Sequence, residues 1–475
     1  MTREKFNSIV SYISNIITGT EWFNHIYVVG GACRNFYMGR NIKDIDIVIN
    51  LPDGGVKFAE WCKEKGYTKT VVMYPTYGTA MFKLCEFPDD EIECVMTRGE
   101  KYIDDGSRNP VVEFCSLNDD AIRRDFTINA LYYNVSTGEI LDMVNGRYDI
   151  DKHIIRTTSP NPDLIFSEDP LRIIRAVRFS CEYGFSISQD TYDGMVRNAD
   201  RLEIITKERI QSELNRILLS KNAANGINIL HSIGAMKYIV PDFDKCYELE
   251  QNEYHFGDVA EHTLSVLKYH CDVFVPNLSE RLACFLHDIG KVYTKTIKNG
   301  KIHFYDHEYM GAELSVDILR KLKYDTDTIK EVRFLIVNHM RTKQAGVEGR
   351  RMKDKSLNKL LYECKTKERF MSLMRVIECD NMSHKKEHNI PGQFAGLVMR
   401  VETSPQHMKM FGYKLPVNGN DIMNILKIEP SEIISEINKR LLNHAFRNPD
   451  ITRDNCIKLL PGILKESKIY IDKNK

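Results

Sequence analysis

The sequence carries no surplus of charge of either sign: 66 Lys and Arg stand against 66 Asp and Glu over 475 residues. Nothing in the overall balance therefore advertises a nucleic-acid partner, although a local basic surface stays open. There is no Cys-x-x-Cys pair. Twelve cysteines lie singly from Cys33 to Cys456, which argues against a disulfide framework or a cysteine-rich zinc site and for a reducing cytoplasm. The first twenty residues interleave Arg3, Glu4 and Lys5 with apolar positions at helical spacing, and they lack the continuous apolar core of a signal peptide. No run reaches the roughly 18 apolar residues of a membrane span, so a soluble protein with no membrane partner is expected. Repeats of roughly 20 to 50 residues and low-complexity tracts are also missing.

What is present is globular. With 43% hydrophobic and 28% charged residues, the chain can bury real cores and stay dissolved. Its length allows about two to four domains. From Trp22 to Val144 short apolar runs alternate with turns: Ile26 to Val29, Ile45 to Ile49, Thr79 to Cys85, Ile92 to Val95, Leu131 to Val135 and Ile140 to Val144. After Ser159 strand signals nearly vanish and helical periodicities take over, as in Asp169 to Tyr183, Lys207 to Ser220 and Glu261 to Asp272. The expected class is α+β, a small mixed sheet with helices on one side followed by all-α regions. Pro/Gly-rich and polar breaks place domain edges so that residues 1–158, 159–240, 241–390 and 391–475 form four regions. Between Lys321 and Arg375 fifteen Lys and Arg meet seven Asp and Glu. That segment either faces phosphates or is a solvated helical surface.

Four segments in the first half carry chemistry. Ile26-Tyr27-Val28-Val29 ends in Gly30-Gly31, and a short helix closed by Gly39 follows. Glycines let backbone N–H groups approach an anion, and Arg34 in the first turn adds a charged donor; a plain structural turn has the same look. Asp44-Ile45-Asp46-Ile47-Val48-Ile49 alternates, which sets Asp44 and Asp46 on one face and three isoleucines on the other. Two like charges there are costly unless cations join them, and Mg²⁺ bridging carboxylates and phosphates is the usual answer. Glu93 sits where a third carboxylate could join, or it belongs to an edge strand. Arg123 to Leu131 packs two guanidinium groups, Asp125 and Asn129 into about two turns, suited to a triphosphate or to a surface ion pair. In Glu168 to Phe179, Asp169 and Arg172 stand three apart and could hydrogen-bond the edge of a base, with Arg175 and Arg178 continuing round the helix. An amphipathic basic helix would read the same way.

Together the motifs GGACRN, DIDI, RRDFTINAL, EDPLRIIRAVRF and RIQSELNRIL, from Tyr27 to Leu218, resemble the head of the class II tRNA nucleotidyltransferase and bacterial poly(A) polymerase family. The resemblance implies that Asp44 and Asp46 are catalytic and bind Mg²⁺. It implies that Gly31, Arg34 and Arg124 hold the triphosphate side of the nucleotide, that Asp169 and Arg172 read its base, and that Arg175 and Arg178 contact it. One departure is visible: the family continues its first motif as Arg-Asp, whereas this chain has Arg34-Asn35.

A second constellation spreads imidazoles and carboxylates over the helical half: Glu261-His262, His287-Asp288-Ile289-Gly290-Lys291, Asp306-His307-Glu308, Asn338-His339 and Cys379-Asp380. Such donors suit Mn²⁺, Ni²⁺, Mg²⁺ or Fe, and a bound metal can generate hydroxide for attack on a phosphoester. The order resembles the HD phosphohydrolase domain. That resemblance implies His262, His287, Asp288 and Asp380 as a set for a divalent transition metal or Mg²⁺, with His307 and His339 serving a second ion or a phosphate. A decayed HD fold that only packs against tRNA is the alternative. The activity implied for the whole chain is template-independent CCA addition to tRNA from CTP and ATP in the cytoplasm, with no DNA partner. The HD region would act on 2′,3′-cyclic or 2′-phosphates. Poly(A) or A-only addition, a phosphohydrolase with a nucleotide-sensing head, and a non-catalytic tRNA binder remain as other readings.

Overall fold

The computed structural model describes residues 1–74, 78–101, 111–252, 254–255, 257–343, 345–346 and 349–474. By its internal contacts the chain divides into two compact units, Met1–Ile217 with Asn225–Ile239, and Leu218–Ala224 with Val240–Lys475.

The first unit is built on a seven-stranded mixed sheet. Its strands are β1 Ile26–Val28, β2 Ile45–Ile49, β3 Val71–Tyr74, β4 Thr79–Lys83 and β5 Glu91–Met96. A separate pair, β6 Arg98–Lys101 and β7 Val111–Phe114, precedes the last two strands of the large sheet, β8 Leu131–Asn134 and β9 Ile140–Asp142. The order is β3-β4-β5-β2-β1-β8-β9. Only β2 and β5 run parallel; each of the other neighbouring pairs is antiparallel.

Strand alternation sorts the two faces. Ile45, Ile47 and Ile49 point into the main core, beneath the helices Arg3–Ile17 and Gly54–Glu64, whose Phe6, Ile9, Ile13, Phe58 and Cys62 fill it. The helix Arg3–Ile17 forms because its apolar residues recur at helical spacing and the Thr2 side chain accepts from the Lys5 N–H as N-cap. On the opposite face Val48 joins a smaller cluster with Tyr27, Val29, Ala130 and Tyr132, and Asp46 lies on that side too. Beyond the sheet the unit is mostly helical, including Leu171–Tyr183 and Lys207–Leu219, with one short parallel pair, β10 Ile154–Ile155 and β11 Ser186–Ile187.

The second unit is mostly helical. Val259–Val273 opens with a reciprocal cap between Asp258 and Glu261. Leu278–Leu286, His307–Lys321, Thr326–Asn338 and Lys367–Met382 follow. One hairpin interrupts them, β12 Lys295–Lys298 with β13 Lys301–Phe304. Its two-residue turn is Asn299-Gly300, both at positive φ (53° and 72°), the pairing that matches the twist of a tight hairpin. The last helices, among them Gly419–Leu426 and Glu432–Ala445, bury their own cluster around Ile422, Ile437, Leu441 and Leu460. No helix of the described residues is long and apolar enough to cross a membrane.

Candidate functional site

The first site lies on the carboxylate face of the large sheet. Register pairs Asp46 with Glu93 across β2 and β5, so the two side chains stand next to each other on one face. Asp44 is exposed and immediately precedes β2, and with Glu93 it acts electrostatically on Asp46. Burial first, then Glu93 and Asp44, push the Asp46 carboxyl up to about 6. Three mutually repelling carboxylates are the donor set that a divalent cation relieves, so the residues fit the metal that the sequence motif implies.

A pocket of about 310 Å³ opens there, lined by Val29, Gly30, Asp46, Glu93, Arg98, Asp120, Arg123, Arg124 and Arg172 among others. Gly30 adopts φ +63°, and a side chain there would come within 4 Å of both Asp46 Oδ2 and Arg124 Nη1; only glycine keeps that entrance open at no cost in backbone energy. Arg124 is fixed from behind. Its Nε donates to Tyr132 Oη (2.8 Å) and to Asp120 Oδ2 (3.1 Å), and its Nη2 donates to the same carboxylate oxygen (2.9 Å). Tyr132 in turn donates to Asp120 at 2.5 Å. Asp120 and Tyr132 are therefore part of the arrangement, although no sequence motif singles them out.

The remaining motif residues divide. Arg172 lines the pocket, with Nη1 donating to Ile165 C=O and Glu168 Oε2. Asp169 caps the first turn at the Leu171 N–H and accepts from Arg209 at 2.7 Å rather than from Arg172. Gly31, Arg34, Arg175 and Arg178 are not among the lining residues. Arg34 is buried, bonded to Asn129 and stacked on Tyr183 at 4.7 Å. Its Nε and Nη2 both donate to Asn35 Oδ1, at 3.2 and 3.1 Å. The amide supplies an acceptor but no charge; burial lowers the Arg34 pKa, with Asp125 and Glu182 opposing it. Arg175 clamps the buried Asp125 with two bonds (3.0 and 2.6 Å). Arg178 is only 2% exposed and ion-paired with Glu213 at 2.8 Å. These arginines fasten the Leu171–Tyr183 helix to its neighbours; Arg178 is interior, whereas the Arg175 side chain stays partly exposed.

The second site gathers the histidines and acids expected from the HD pattern. His262 Nε2 is 3.1 Å from Asp380 Oδ1 and 3.6 Å from Asp288 Oδ2; His287 Nε2 is 3.2 Å from Asp288 Oδ2. On the other side His307 Nε2 is 3.4 Å from Asp288 Oδ1. Two ligand groups result, His262/His287/Asp288 and Asp288/His307/His339, sharing Asp288. Close backbone approach makes this possible: a Cβ on Gly290 would stand 2.2 Å from His307 C=O, so only glycine lets the two segments meet.

Three of the imidazoles share one anchoring pattern. His287, His307 and His339 each hydrogen-bond through Nδ1 to a backbone carbonyl three residues earlier, at 2.9, 2.8 and 2.6 Å. Their Nε2 atoms are buried without a hydrogen-bond partner among the described residues. Such anchoring fixes the tautomer and presents Nε2 to a metal. Burial opposes ionisation of Asp288, yet His287 and Lys291 hold its carboxyl well below the usual range. Lys291, 2.6 Å from Asp288, and Lys343, 3.5 Å from Asp380, flank the centre. A cavity of about 480 Å³ lies alongside, lined by His307, Lys291 and Lys343 and also by His255 and His384. The donor set fits divalent metals.

In the basic 321–375 stretch, of which 344, 347 and 348 lie outside the described residues, several cations are held in ion pairs. Arg333 meets Glu313, Arg341 meets Glu363, Lys367 meets Glu402, Arg369 meets Glu331 and Arg375 meets Glu280.

Residues 26–156 match the poly(A) polymerase head domain, 184–247 the probable RNA-binding region of polymerase A, and 259–368 the HD domain. A multifunctional CCA protein of Pseudomonas fluorescens Pf-5 is 31% identical over 63% of this chain and 70% of its own length. One from Neisseria gonorrhoeae NCCP11945 is 28% identical over 80% and 89%. Among solved structures, a Bacillus stearothermophilus CCA-adding enzyme in complex with CTP superposes with a TM-score of 0.65 at 21% identity, over 95% of each chain. A Thermotoga maritima CCA-adding enzyme complexed with tRNA gives 0.56 at 19% identity, over 97% and 95%. The chain belongs to the class II tRNA nucleotidyltransferase and poly(A) polymerase family, in its form with an HD domain.

Proposed function

We propose that this chain adds CMP and AMP to the 3′ end of tRNA from CTP and ATP, and that its HD region hydrolyses 2′,3′-cyclic or 2′-phosphates. The observation that carries the first part is the facing of Asp46 and Glu93 in a pocket otherwise walled by Arg98, Arg123, Arg124 and Arg172. Carboxylates on one wall and guanidinium groups on the others suit a nucleoside triphosphate with its cation. The relatives named multifunctional CCA proteins, and the fold shared with CCA-adding enzymes, support it.

In this reading residues 1–158 are the transferase head, 159–240 a neck that selects the nucleotide, 241–390 the hydrolase and 391–475 a tail. Asp44 and Asp46 hold Mg²⁺, joined by Glu93. The ion, when bound, neutralises phosphate charge and favours the nucleophilic 3′-hydroxylate. Arg124 Nη1, beside Gly30, meets the triphosphate, and the Asp120–Tyr132 pair prevents the guanidinium from turning away. Gly30 and Gly31 let the chain approach the phosphates. Arg172 and Asp169 read the base. Arg34, Arg175 and Arg178 hold the base-reading helix in register with the metal strand. In the HD region His262, His287, Asp288 and Asp380 hold one divalent metal, and His307 and His339 with Asp288 a second. Lys291 and Lys343 stand where the phosphate oxygens of a substrate would arrive.

The test is incubation of purified protein with tRNA ending just before CCA, supplied with labelled CTP, ATP or both. Two CMP and one AMP per tRNA is the expected product. Long tails from ATP alone would assign poly(A) addition instead, and AMP added only after a pre-existing CC would assign A-addition.

A further inference from the structure

The cavity of about 480 Å³ beside the HD centre is lined by groups of two kinds. His307, Lys291 and Lys343 supply the metal-facing and cationic part described above. The rest is largely aromatic, and its rings come from three separate segments of the second unit: Tyr254, the stretch from His303 to Tyr305 at the end of β13, and His388. None of these residues belongs to a motif of the sequence.

The aromatic groups are paired. His303 and Tyr305 are two apart in an extended stretch, so their side chains fall on one side of it. Their rings are nearly parallel, 10° from coplanar, with centroids 5.2 Å apart. Tyr254 and His388 meet edge to face, at 4.9 Å and 67°. Tyr305 is 58% exposed and Tyr254 49%, so burial does not explain why these rings gather at one cavity. Single exposed aromatics are ordinary on a protein surface; several converging on one concavity mark a ligand site.

The chain ties the aromatic groups to the metal-binding residues. Tyr305 and His307 are two residues apart, which limits their Cα separation to about 7 Å, and Asp306 between them, at φ 58°, bends the chain at this point. Lys291, paired with Asp288 at 2.6 Å, has its Nζ 5.4 Å from the ring centroid of Phe304. A nucleoside covers a comparable span between the phosphorylated edge of its ribose and its base. A phosphoester without a base would leave the aromatic pairs unused.

We propose that His303 and Tyr305, with Tyr254 and His388, form a base-stacking subsite of the HD centre, so that its substrates are nucleotides, free or at the end of an RNA, rather than phosphoesters that lack a base. Stacking tolerates any base, because each presents a π-face. The subsite rests on the reading of the HD centre as a hydrolase of 2′,3′-cyclic or 2′-phosphates, with the phosphate held at the metal-binding residues and the base against the rings.

The test compares two substrates of the full chain supplied with Mg²⁺, Mn²⁺ or Ni²⁺: adenosine 2′,3′-cyclic phosphate, and its abasic counterpart, which keeps the ribose ring and the cyclic phosphate but carries hydrogen in place of the base. The parent is expected to show a kcat/KM roughly 10-fold or more higher for the adenosine compound. Y254A/Y305A, altered at two exposed positions, is expected to lose most of that preference, while Tyr305→Phe, which keeps the ring, retains it. A structural role alone would lower both rates together. Photolabelling with an azido-adenosine 2′,3′-cyclic phosphate gives a readout independent of turnover: the tryptic segment 302–320, which contains His303 and Tyr305, is expected to carry the label. Equal kcat/KM for the two compounds, a preference undiminished in Y254A/Y305A, or label only outside 302–320 would each overturn the subsite while leaving the hydrolase reading standing. Hydrolysis of neither compound would overturn the hydrolase reading, and the subsite with it.

Discussion

Asp46 and Glu93 are register partners across the sheet's one parallel strand pair, which places a third carboxylate beside the Asp-x-Asp motif from a strand more than forty residues away. Replacing Glu93 with Gln keeps the shape and removes the charge. Nucleotide incorporation is expected to fall by roughly 100-fold or more, because several kcal/mol of metal-borne stabilisation is at stake. Steady-state incorporation at saturating Mg²⁺ measures it; activity within a factor of two of the parent would remove Glu93 from the site.

The Asp46 carboxyl, raised to about 6 by burial and by its acidic neighbours, makes a prediction about pH. A folded-state pKa above the unfolded value means that the folded, metal-free protein binds the proton more tightly. This contribution to stability is therefore present at low pH and is lost as pH rises from about 4 to 6. Proton and Mg²⁺ compete for the same carboxylate, so Mg²⁺ affinity of the head, measured by calorimetry, is expected to weaken as pH falls below 6. The dependence should flatten in Asp46→Asn.

Tyr132 holds Arg124 without lining the pocket. Tyr132→Phe removes two charge-assisted hydrogen bonds, one from Arg124 and one to Asp120, and about 1.5 kcal/mol of positioning corresponds to roughly a tenfold rise in KM for the nucleotide. The turnover number should change less than KM. A fall in thermal stability with KM unchanged would make Tyr132 structural only.

Arg178 and Glu213 form a buried pair. Arg178→Met alone leaves the buried Glu213 carboxylate with only the longer contact to Arg175 at 3.8 Å and is expected to destabilise the first unit by about 3 kcal/mol, read as an earlier unfolding transition. Adding Glu213→Leu should recover most of it. Equal destabilisation in the single and double variants would mean that the pair contributes no net attraction.

Much of this was legible in the sequence because the signals are local. Alternation alone separated Asp46 from Ile45, Ile47 and Ile49, and the order of His262, His287-Asp288, His307, His339 and Asp380 foreshadowed the clustered centre. The parallel pairing that brings Glu93 to Asp46 depends on a register between distant segments that no local pattern encodes. Arg34 and Arg178 carry the composition of a basic face, but their burial depends on what packs against them, here Asn129 and Glu213. His255 and His384 fall outside any motif and meet only through the fold. The hairpin at Asn299-Gly300 did have a local signal, a two-residue turn between Ile297 and Ile302, which the helical periodicity around it obscured.

The most direct test of the central claim replaces Asp44 and Asp46 singly with Asn and assays both activities of the same preparations. Each variant is expected to lose incorporation of CMP and AMP into tRNA while hydrolysing 2′,3′-cyclic nucleotides at the parent rate. Incorporation at the parent rate in either variant would contradict the assignment of the sheet's carboxylates as the centre of nucleotidyl transfer.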